Sequence, residues 1–219
     1  MDFFLLRHGE TDWNLAGRLQ GRADIPLNQK GRVQIGHAAE VLGRVYPAID
    51  LIIASPLARA RESAEIVADR LAYDKSDIIV EPLLVERCFG MGEGLTSLER
   101  EEKYPDGFYP GMELLEDLCK RAYRAFERIP ALFPEKNSIL LVAHGAILYA
   151  LVTALTGGRI PYGSKMLTFE SASIHRLQYA GGISKLEKYD RKQSLFMDID
   201  CREVQLVRKC SRHCRKTVL

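Results

Sequence analysis

Long apolar runs are missing from this chain of 219 residues. A helix needs about 20 consecutive apolar residues to cross a bilayer, and no segment approaches that length. The first residues also lack the cationic region and the cleavage site of a secretory signal. Cysteine is scarce: the five cysteines are odd in number and irregularly spaced, which is untypical of a disulfide framework. We therefore expect reduced thiols, no association with membranes and a cytoplasmic location.

Net charge is low and unevenly distributed. The whole chain carries a formal charge of +2, yet residues 201–219 carry +5 and the first 200 residues carry −3. With a net charge of −3, the first 200 residues lack the basic surface of nucleic-acid-binding proteins, so we expect no nucleic-acid partner. We predict one domain over residues 1–200, followed by a basic C-terminal tail over 201–219 that docks as a helix. The cysteines of this tail are not spaced like zinc ligands, and no metal is expected there.

Short apolar segments alternate with amphipathic segments along most of the chain. Four apolar runs are typical of buried strands, at residues 3–6, 51–54, 78–80 and 139–142. Helices are predicted at about 28–43, at 55–71, from 96, at 112–133 and up to 156, and the first two have Asn28 and Ser55 as caps. This alternation predicts a three-layer α/β/α fold with a mainly parallel sheet. Two later strands, at about 167–177 and 183–189, should form an antiparallel edge.

Polar residues that could take part in catalysis follow two of the strands. Arg7, His8 and Gly9 come directly after the first strand, and His144 comes after the fourth. Because parallel strands present their carboxyl ends at one edge of the sheet, the two histidines should converge there. Arg59, in the first turn of the helix after the second strand, could reach the same point. We expect these cations and imidazoles to surround a hole suited to a dianionic phosphoryl group, with Gly9 giving the ligand room.

Four sequence blocks resemble the histidine phosphatase superfamily, also called the phosphoglycerate-mutase-like family. In chain order they are Leu6-Arg7-His8-Gly9-Glu10-Thr11, Ser55-Pro56-Leu57-Ala58-Arg59-Ala60-Arg61-Glu62-Ser63-Ala64, Glu86-Arg87-Cys88-Phe89-Gly90-Met91-Gly92-Glu93-Gly94 and Val142-Ala143-His144-Gly145. One such block alone would be weak, but four in order make a strong resemblance over residues 1 to about 180. Family members often carry Trp where Gly92 stands, and losing that ring could loosen the loop behind Glu86.

The resemblance implies a role for each residue of the phosphate site. His8 would be the nucleophile and form a phosphohistidine. Arg7, Arg59 and His144 would hold the phosphoryl oxygens, and Asn14 would add a hydrogen bond. Two guanidiniums and an imidazolium would supply the positive charge, so the resemblance implies no metal and no cofactor. His8 must be neutral to attack, which the nearby arginines favour, and a backbone carbonyl is expected to fix its tautomer.

The resemblance also implies an acid beside the phosphate. Glu86 would protonate the leaving oxygen and then activate water for the second step. Glu93 is a nearby carboxylate and is the alternative candidate. The remaining histidines, His37, His175 and His213, are expected to be structural.

The number of residues between the acid, Glu86, and the second histidine, His144, distinguishes members of the family. Mutases, as the resemblance implies, have a longer insertion there with two adjacent arginines, whereas only 57 residues separate Glu86 from His144 and no such pair occurs among them. A short cap admits water, and water turns transfer into hydrolysis. We predict a phosphomonoester hydrolase for a small phosphorylated metabolite. Cofactor-dependent phosphoglycerate mutase and a catalytically weak phospho-ligand-binding domain are the alternatives, and the sequence is compatible with a homodimer.

Overall fold

A seven-stranded sheet lies at the centre of the computed structural model, which describes residues 1–46, 48–180, 182–190 and 193–199. Its strands are β1 (Asp2–Arg7), β2 (Leu51–Ala54), β3 (Ile79–Val80), β4 (Ser138–Ala143), β5 (Ile174–Tyr179), β6 (Ile183–Asp190) and β7 (Leu195–Asp198). Their order is β3-β2-β4-β1-β5-β6-β7. The first four are parallel and the last three pair antiparallel, which confirms the predicted sheet and its antiparallel edge.

The described ranges contain six α-helices. They are α1 (Asp12–Leu15), α2 (Gln29–Val45), α3 (Ala58–Leu71), α4 (Ser97–Lys103), α5 (Leu115–Leu132) and α6 (Gly145–Leu155). None of the helices in the described residues is long and apolar enough to span a bilayer. The prediction of a docked tail helix at 201–219 concerns residues outside the described ranges.

The strands bury side chains on both faces, which is why they read as continuous apolar runs. Phe3 and Leu5 pack with α5 and α6 on one face, where the rings of Phe3 and Phe126 lie 4.5 Å apart. Phe4 and Leu6 point to the other face and pack with α2 and α3. The expected three-layer α/β/α fold is therefore confirmed, and the parallel strands end at one edge.

Several local predictions were wrong. The segment 12–15, expected to be loop, forms α1 because Thr11 and Asn14 complete a capping box. Strand β5 begins at Ile174 rather than near 167, because Ala172 adopts a left-handed backbone and its N–H donates to the carbonyls of Arg7 and His8. Helix α5 begins at 115 rather than 112, and β7 was not predicted at all.

The predicted cap of α3 was also wrong. The helix begins at Ala58 after Leu57, and Ser55 lies outside it. Instead, the carboxylate of Asp24, from a distant loop, accepts a hydrogen bond of 2.7 Å from the N–H of Ala58. This contact satisfies one of the donors that a helix N-terminus leaves open, while the hydroxyl of Ser55 accepts from the N–H of Leu57 at 3.4 Å.

A buried histidine next to the sheet edge links stability to pH. His175, on β5, is completely buried, and its ring centroid lies 4.3 Å from that of Phe169. Burial, reinforced by the charge of Lys188 and opposed by the backbone of Thr168, lowers the pKa of His175 from 6.5 to about 3.

We predict that His175→Leu makes the protein less sensitive to acid. The pKa is lower in the folded state, so stability is complete above pH 6.5 and falls as the pH drops toward about 3. At about pH 5 protonation of His175 in the unfolded state lowers the free energy of unfolding of the wild-type protein by about 2 kcal/mol, and the variant should not show this loss. Urea unfolding near neutral pH and at about pH 5 measures the difference, with the exposed His37→Leu as matched control. An equal acid loss for wild type and His175→Leu would contradict the prediction.

Candidate active site

His8 lies directly beyond β1, at the carboxyl edge of the parallel strands. Its Nδ1 is 2.6 Å from the carbonyl oxygen of Gly9. Because a carbonyl only accepts, Nδ1 carries the proton and Nε2 keeps a lone pair, as the expected tautomer requires. Burial lowers the pKa of His8 well below 6.5, and the charges of Arg7 and Arg59 lower it further. His8 is therefore a neutral imidazole whose available nitrogen is Nε2.

Arg59, in the first turn of α3, holds the two histidines together. Its Nε–H points at Nε2 of His8, 3.3 Å away, and at Nδ1 of His144, 3.2 Å away. Its Nη1 and Nη2 donate to the carbonyls of Ala23 and Gly21. Burial lowers the pKa of Arg59 to about 10, so it stays charged near neutral pH. The guanidinium is thus fixed in place as a buried cation.

His144 follows β4 and faces His8, with their ring centroids 5.1 Å apart. Its Nε2 is 2.6 Å from Oγ of Ser55, which follows the neighbouring strand β2. Since Arg59 can only donate, Nδ1 of His144 accepts and Nε2 donates to Ser55. Burial lowers the pKa of His144 well below 6.5, and Arg59 and His8 add to this effect. His144 is therefore neutral in this structure, and the imidazolium that the resemblance implies in the phosphate complex stays a prediction.

Arg7, the last residue of β1, brings a second guanidinium to the same edge. Its Nη1 donates to the carbonyl of Phe169 at 2.6 Å, and its guanidinium packs against Gly145 at the start of α6. Its Nε is buried and has no hydrogen-bond partner among the described residues. A buried donor without a partner is costly, and an anion at the site would satisfy it.

Glu86 places its carboxylate at the N-terminus of α6. Its Oε1 accepts from the N–H groups of Arg87 and Ile147, at 2.9 and 3.0 Å, and its Oε2 accepts from that of Ala146 at 3.1 Å. Each carboxylate oxygen has two lone pairs, so these bonds occupy both on Oε1 and one on Oε2. Oε2 is therefore the oxygen that can exchange a proton.

Glu93, the alternative acid, is used to join two loops. Its Oε1 accepts from the N–H groups of Arg22 and Phe89, at 3.1 and 2.9 Å. Nearby, a side chain at Gly92 would collide with the ring of Tyr109, which is only 7% exposed. Tyr109 thus fills the space at position 92, and the loop behind the acid does not depend on a tryptophan there.

Two other predicted contacts take specific forms. In α1, Oδ1 of Asn14 accepts from the N–H and the hydroxyl of Thr11, so Nδ2 is the atom that can donate to an anion. Gly9 does allow a close approach, but of Gly31 in α2 rather than of a ligand, because a side chain at Gly9 would collide with its backbone.

Sequence reasoning missed three side chains around the site, namely Ser55, Glu113 and Arg121. Ser55 was interpreted as a helix cap, although its position directly after β2 was a signal that it lies at the same edge. Glu113 and Arg121 gave no comparable signal, since only the folded chain brings them to the segment that carries Glu86.

The fold and this arrangement are those of a histidine-dependent phosphoryl-transfer protein. A neutral buried imidazole, two guanidiniums and a carboxylate stand at the carboxyl edge of a parallel sheet, where such folds bind ligands. Backbone carbonyls and helix termini hold all of them, so the site exists before a ligand arrives.

Comparison with known proteins identifies the family. The model of the histidine phosphatase superfamily, branch 1, matches residues 3–191. The "Uncharacterized phosphatase PhoE" of Bacillus subtilis is 37% identical over 186 residues, which cover 85% of this chain and 92% of that protein. The "Probable phosphoglycerate mutase GpmB" of Enterobacter sp. is 36% identical over 194 residues, covering 82% and 85%. The chain belongs to the histidine phosphatase superfamily.

A solved structure shows the same fold. A mycobacterial glucosyl-3-phosphoglycerate phosphatase in complex with VO3 matches with a TM-score of 0.74 at 28% identity, covering 85% of this chain and 96% of the other.

Proposed function

We propose that this protein is a metal-independent phosphomonoester hydrolase that forms a phosphohistidine at His8. The observation that carries the proposal is the state of His8, which is buried, neutral and protonated on Nδ1 by its bond to Gly9. Its Nε2 lies beside Arg59, and the charge of Arg7 reaches the same ring. A nucleophilic nitrogen among fixed cations suits attack on a phosphorus atom that carries anionic oxygens.

In the first step, Nε2 of His8 attacks phosphorus and the bond from phosphorus to the leaving oxygen breaks. Arg7 and Arg59 bind the equatorial oxygens, and Nε of Arg7 gains the partner that it lacks. Nδ2 of Asn14 donates a further hydrogen bond. Glu86 gives its proton from Oε2 to the leaving oxygen, so an alcohol departs.

In the second step, water attacks the phosphohistidine. Oε2 of Glu86 takes a proton from the water as its oxygen bonds to phosphorus, and the bond to Nε2 of His8 breaks. Phosphate leaves, His8 regains its lone pair, and Glu86 is protonated for the next cycle. Glu86 thus serves as acid and base in turn, which its single available lone pair on Oε2 supports.

His144 adds a charge only when phosphate is present. In the structure its Nδ1 accepts from Arg59 and its Nε2 donates to Ser55. To donate to a phosphoryl oxygen, Nδ1 must take up a proton, and the dianion favours this because it stabilises the imidazolium. We infer that substrate binds together with a proton, which His144 holds while Ser55 keeps the ring oriented.

The second candidate function is phosphoglycerate mutase, which the name of the Enterobacter relative favours. Against it, the stretch between Glu86 and His144 is short and lacks paired arginines. The name of the Bacillus relative and that of the mycobacterial protein favour a phosphatase. A catalytically weak binding domain is disfavoured because His8, Arg7 and Glu86 are all present. The compartment we propose is the cytoplasm, because the odd number and irregular spacing of the cysteines favour reduced thiols.

Assays of phosphate release test the proposal. We expect the protein to release phosphate from several small phosphorylated metabolites in the presence of a chelator, because its guanidiniums supply the positive charge. Mutase activity on 3-phosphoglycerate, measured in parallel, should be absent or minor. Mutase activity exceeding hydrolysis would favour the second candidate, and neither activity over a broad panel would contradict the proposed function.

A further inference from the structure

The segment that carries Glu86 is held by a buried ion pair, and the charge of its arginine also lowers the pKa of His144. Arg121, on α5, binds Glu113 through two parallel hydrogen bonds of 2.8 and 2.9 Å. Their side chains are only 14% and 12% exposed. Such a bidentate pair fixes both orientation and distance. Burial opposes the charge of Glu113, yet the bonds and charge of Arg121 and the N–H of Cys88 keep its pKa below the usual value.

Arg121 and Glu113 bind the backbone on both sides of the acid. Nη1 of Arg121 donates to the carbonyls of Leu83 and Val85, at 2.6 and 2.7 Å, and its Nη2 approaches that of Glu86 at 3.4 Å. On the other side, the carboxylate of Glu113 accepts from the N–H of Cys88 at 3.2 Å.

The backbone of Glu113 also binds the two residues that follow Glu86. Its carbonyl accepts from Nε of Arg87 at 2.9 Å, and its N–H donates to the carbonyl of Cys88 at 2.9 Å. The residues that flank the acid are therefore attached to one buried pair, while Glu86 itself points away from the pair toward α6.

We propose that the Glu113–Arg121 pair is a positioning device for Glu86, which sets where Oε2 stands relative to the phosphoryl group without touching substrate. The inference rests on the proposed function and adds residues to it. A proton must move over a short hydrogen bond in the transition state, so a small displacement of Oε2 slows proton transfer to the leaving group. Binding of the phosphoryl group, which Arg7, Arg59 and His8 control, should change little.

The test compares Arg121→Met, Arg121→Lys and Glu113→Gln with wild type on two substrates. An alkyl phosphate needs protonation of its leaving oxygen, whereas p-nitrophenyl phosphate needs it much less. We expect Arg121→Met to lower kcat on the alkyl phosphate about tenfold more than on p-nitrophenyl phosphate, with KM little changed, and Arg121→Lys to recover part of the loss. Arg128→Met removes an exposed cation from the same helix and is the matched control.

A double-mutant cycle separates positioning from general stabilisation. If Arg121 acts through Glu86, Arg121→Met should cause no further loss on the alkyl phosphate in a Glu86→Gln background. An additive loss, or an equal loss on both substrates, would overturn the proposal. Should Arg121→Met fail to fold, the substrate dependence of Glu113→Gln and Arg121→Lys decides by the same criterion.

Amide hydrogen exchange tests the positioning of Glu86 by the Glu113–Arg121 pair without a measurement of enzyme activity. The N–H of Ile147 donates to Glu86, whereas that of Leu148 makes an ordinary helix bond to His144. We expect Arg121→Met to speed exchange at Ile147 and not at Leu148, and Arg121→Lys is used in its place if Arg121→Met does not fold. Unchanged exchange at Ile147 would overturn the positioning role. Absence of phosphate release from wild type would instead contradict only the proposed function.

Discussion

His8→Ala is expected to reduce phosphate release by roughly 10⁴-fold or more, which is typical when an enzyme loses its nucleophile. Nδ1 of His144 also accepts from Arg59, but in the proposed mechanism that nitrogen takes up a proton when phosphate binds, so it does not replace Nε2 of His8 as nucleophile. Binding of phosphate should survive in part, because both guanidiniums remain.

The loss of phosphate release in His8→Ala should come from the missing nucleophile and not from unfolding. The ring of His8 is buried at the sheet edge rather than between the sheet and its helices, so the truncation should cost no more than about 1–3 kcal/mol of folding free energy. Circular dichroism and thermal unfolding check this, and His37→Ala removes an exposed histidine as control. Rapid quenching with labelled substrate should give an acid-labile phosphoprotein from wild type only. A labelled His8→Ala protein, or its near-normal turnover, would show that another residue is the nucleophile.

Glu86→Gln is expected to give the second largest effect, a loss of about 10²–10⁴-fold on alkyl phosphates and a smaller one on p-nitrophenyl phosphate. The amide cannot donate and take back a proton at the pH of the assay, and the difference between substrates measures that lost step. The amide nitrogen would also face the N–H of Ala146, donor against donor, if Oε1 keeps its two bonds.

Glu93→Gln is the matched control for this experiment. Its amide oxygen can still accept from Arg22 and Phe89, so the two loops stay joined. We expect a small loss that is the same for both substrates. A dependence on the leaving group in Glu93→Gln that is absent from Glu86→Gln would exchange the roles of the two carboxylates.

Much of the edge that carries the site could be predicted from local signals. Arg7 and His8 follow an apolar run, and His144 follows another, so strand order and parallel pairing suffice to bring them to one edge. The resemblance added Glu86 and Asn14, which no periodicity marks. The state of His144 could not be predicted in this way, because its pKa depends on burial and on Arg59 and His8, which the fold alone brings together.

Elements with weak local signals were the ones that sequence reasoning missed. Segment 167–173 was predicted to be strand, but the N–H of Ala172 donates to the carbonyls of Arg7 and His8 at the end of β1, and β5 begins only at Ile174. The N–H of Ala58 at the start of α3 donates to the carboxylate of Asp24 from a distant loop, whereas the hydroxyl of Ser55 accepts from the N–H of Leu57 before the helix. Both cases are tertiary contacts that override local preference.

By itself, the sequence determined the three layers, the parallel strands and the sheet edge that carries the catalytic residues. Apolar strands that alternate with amphipathic helices can bury both faces of a sheet in only a few arrangements. The tertiary structure decided the finer chemistry: the tautomer of His144, the available oxygen of Glu86 and the attachment of that acid to Glu113 and Arg121. These depend on hydrogen bonds between residues far apart in the chain, whose distances no pattern of side chains encodes.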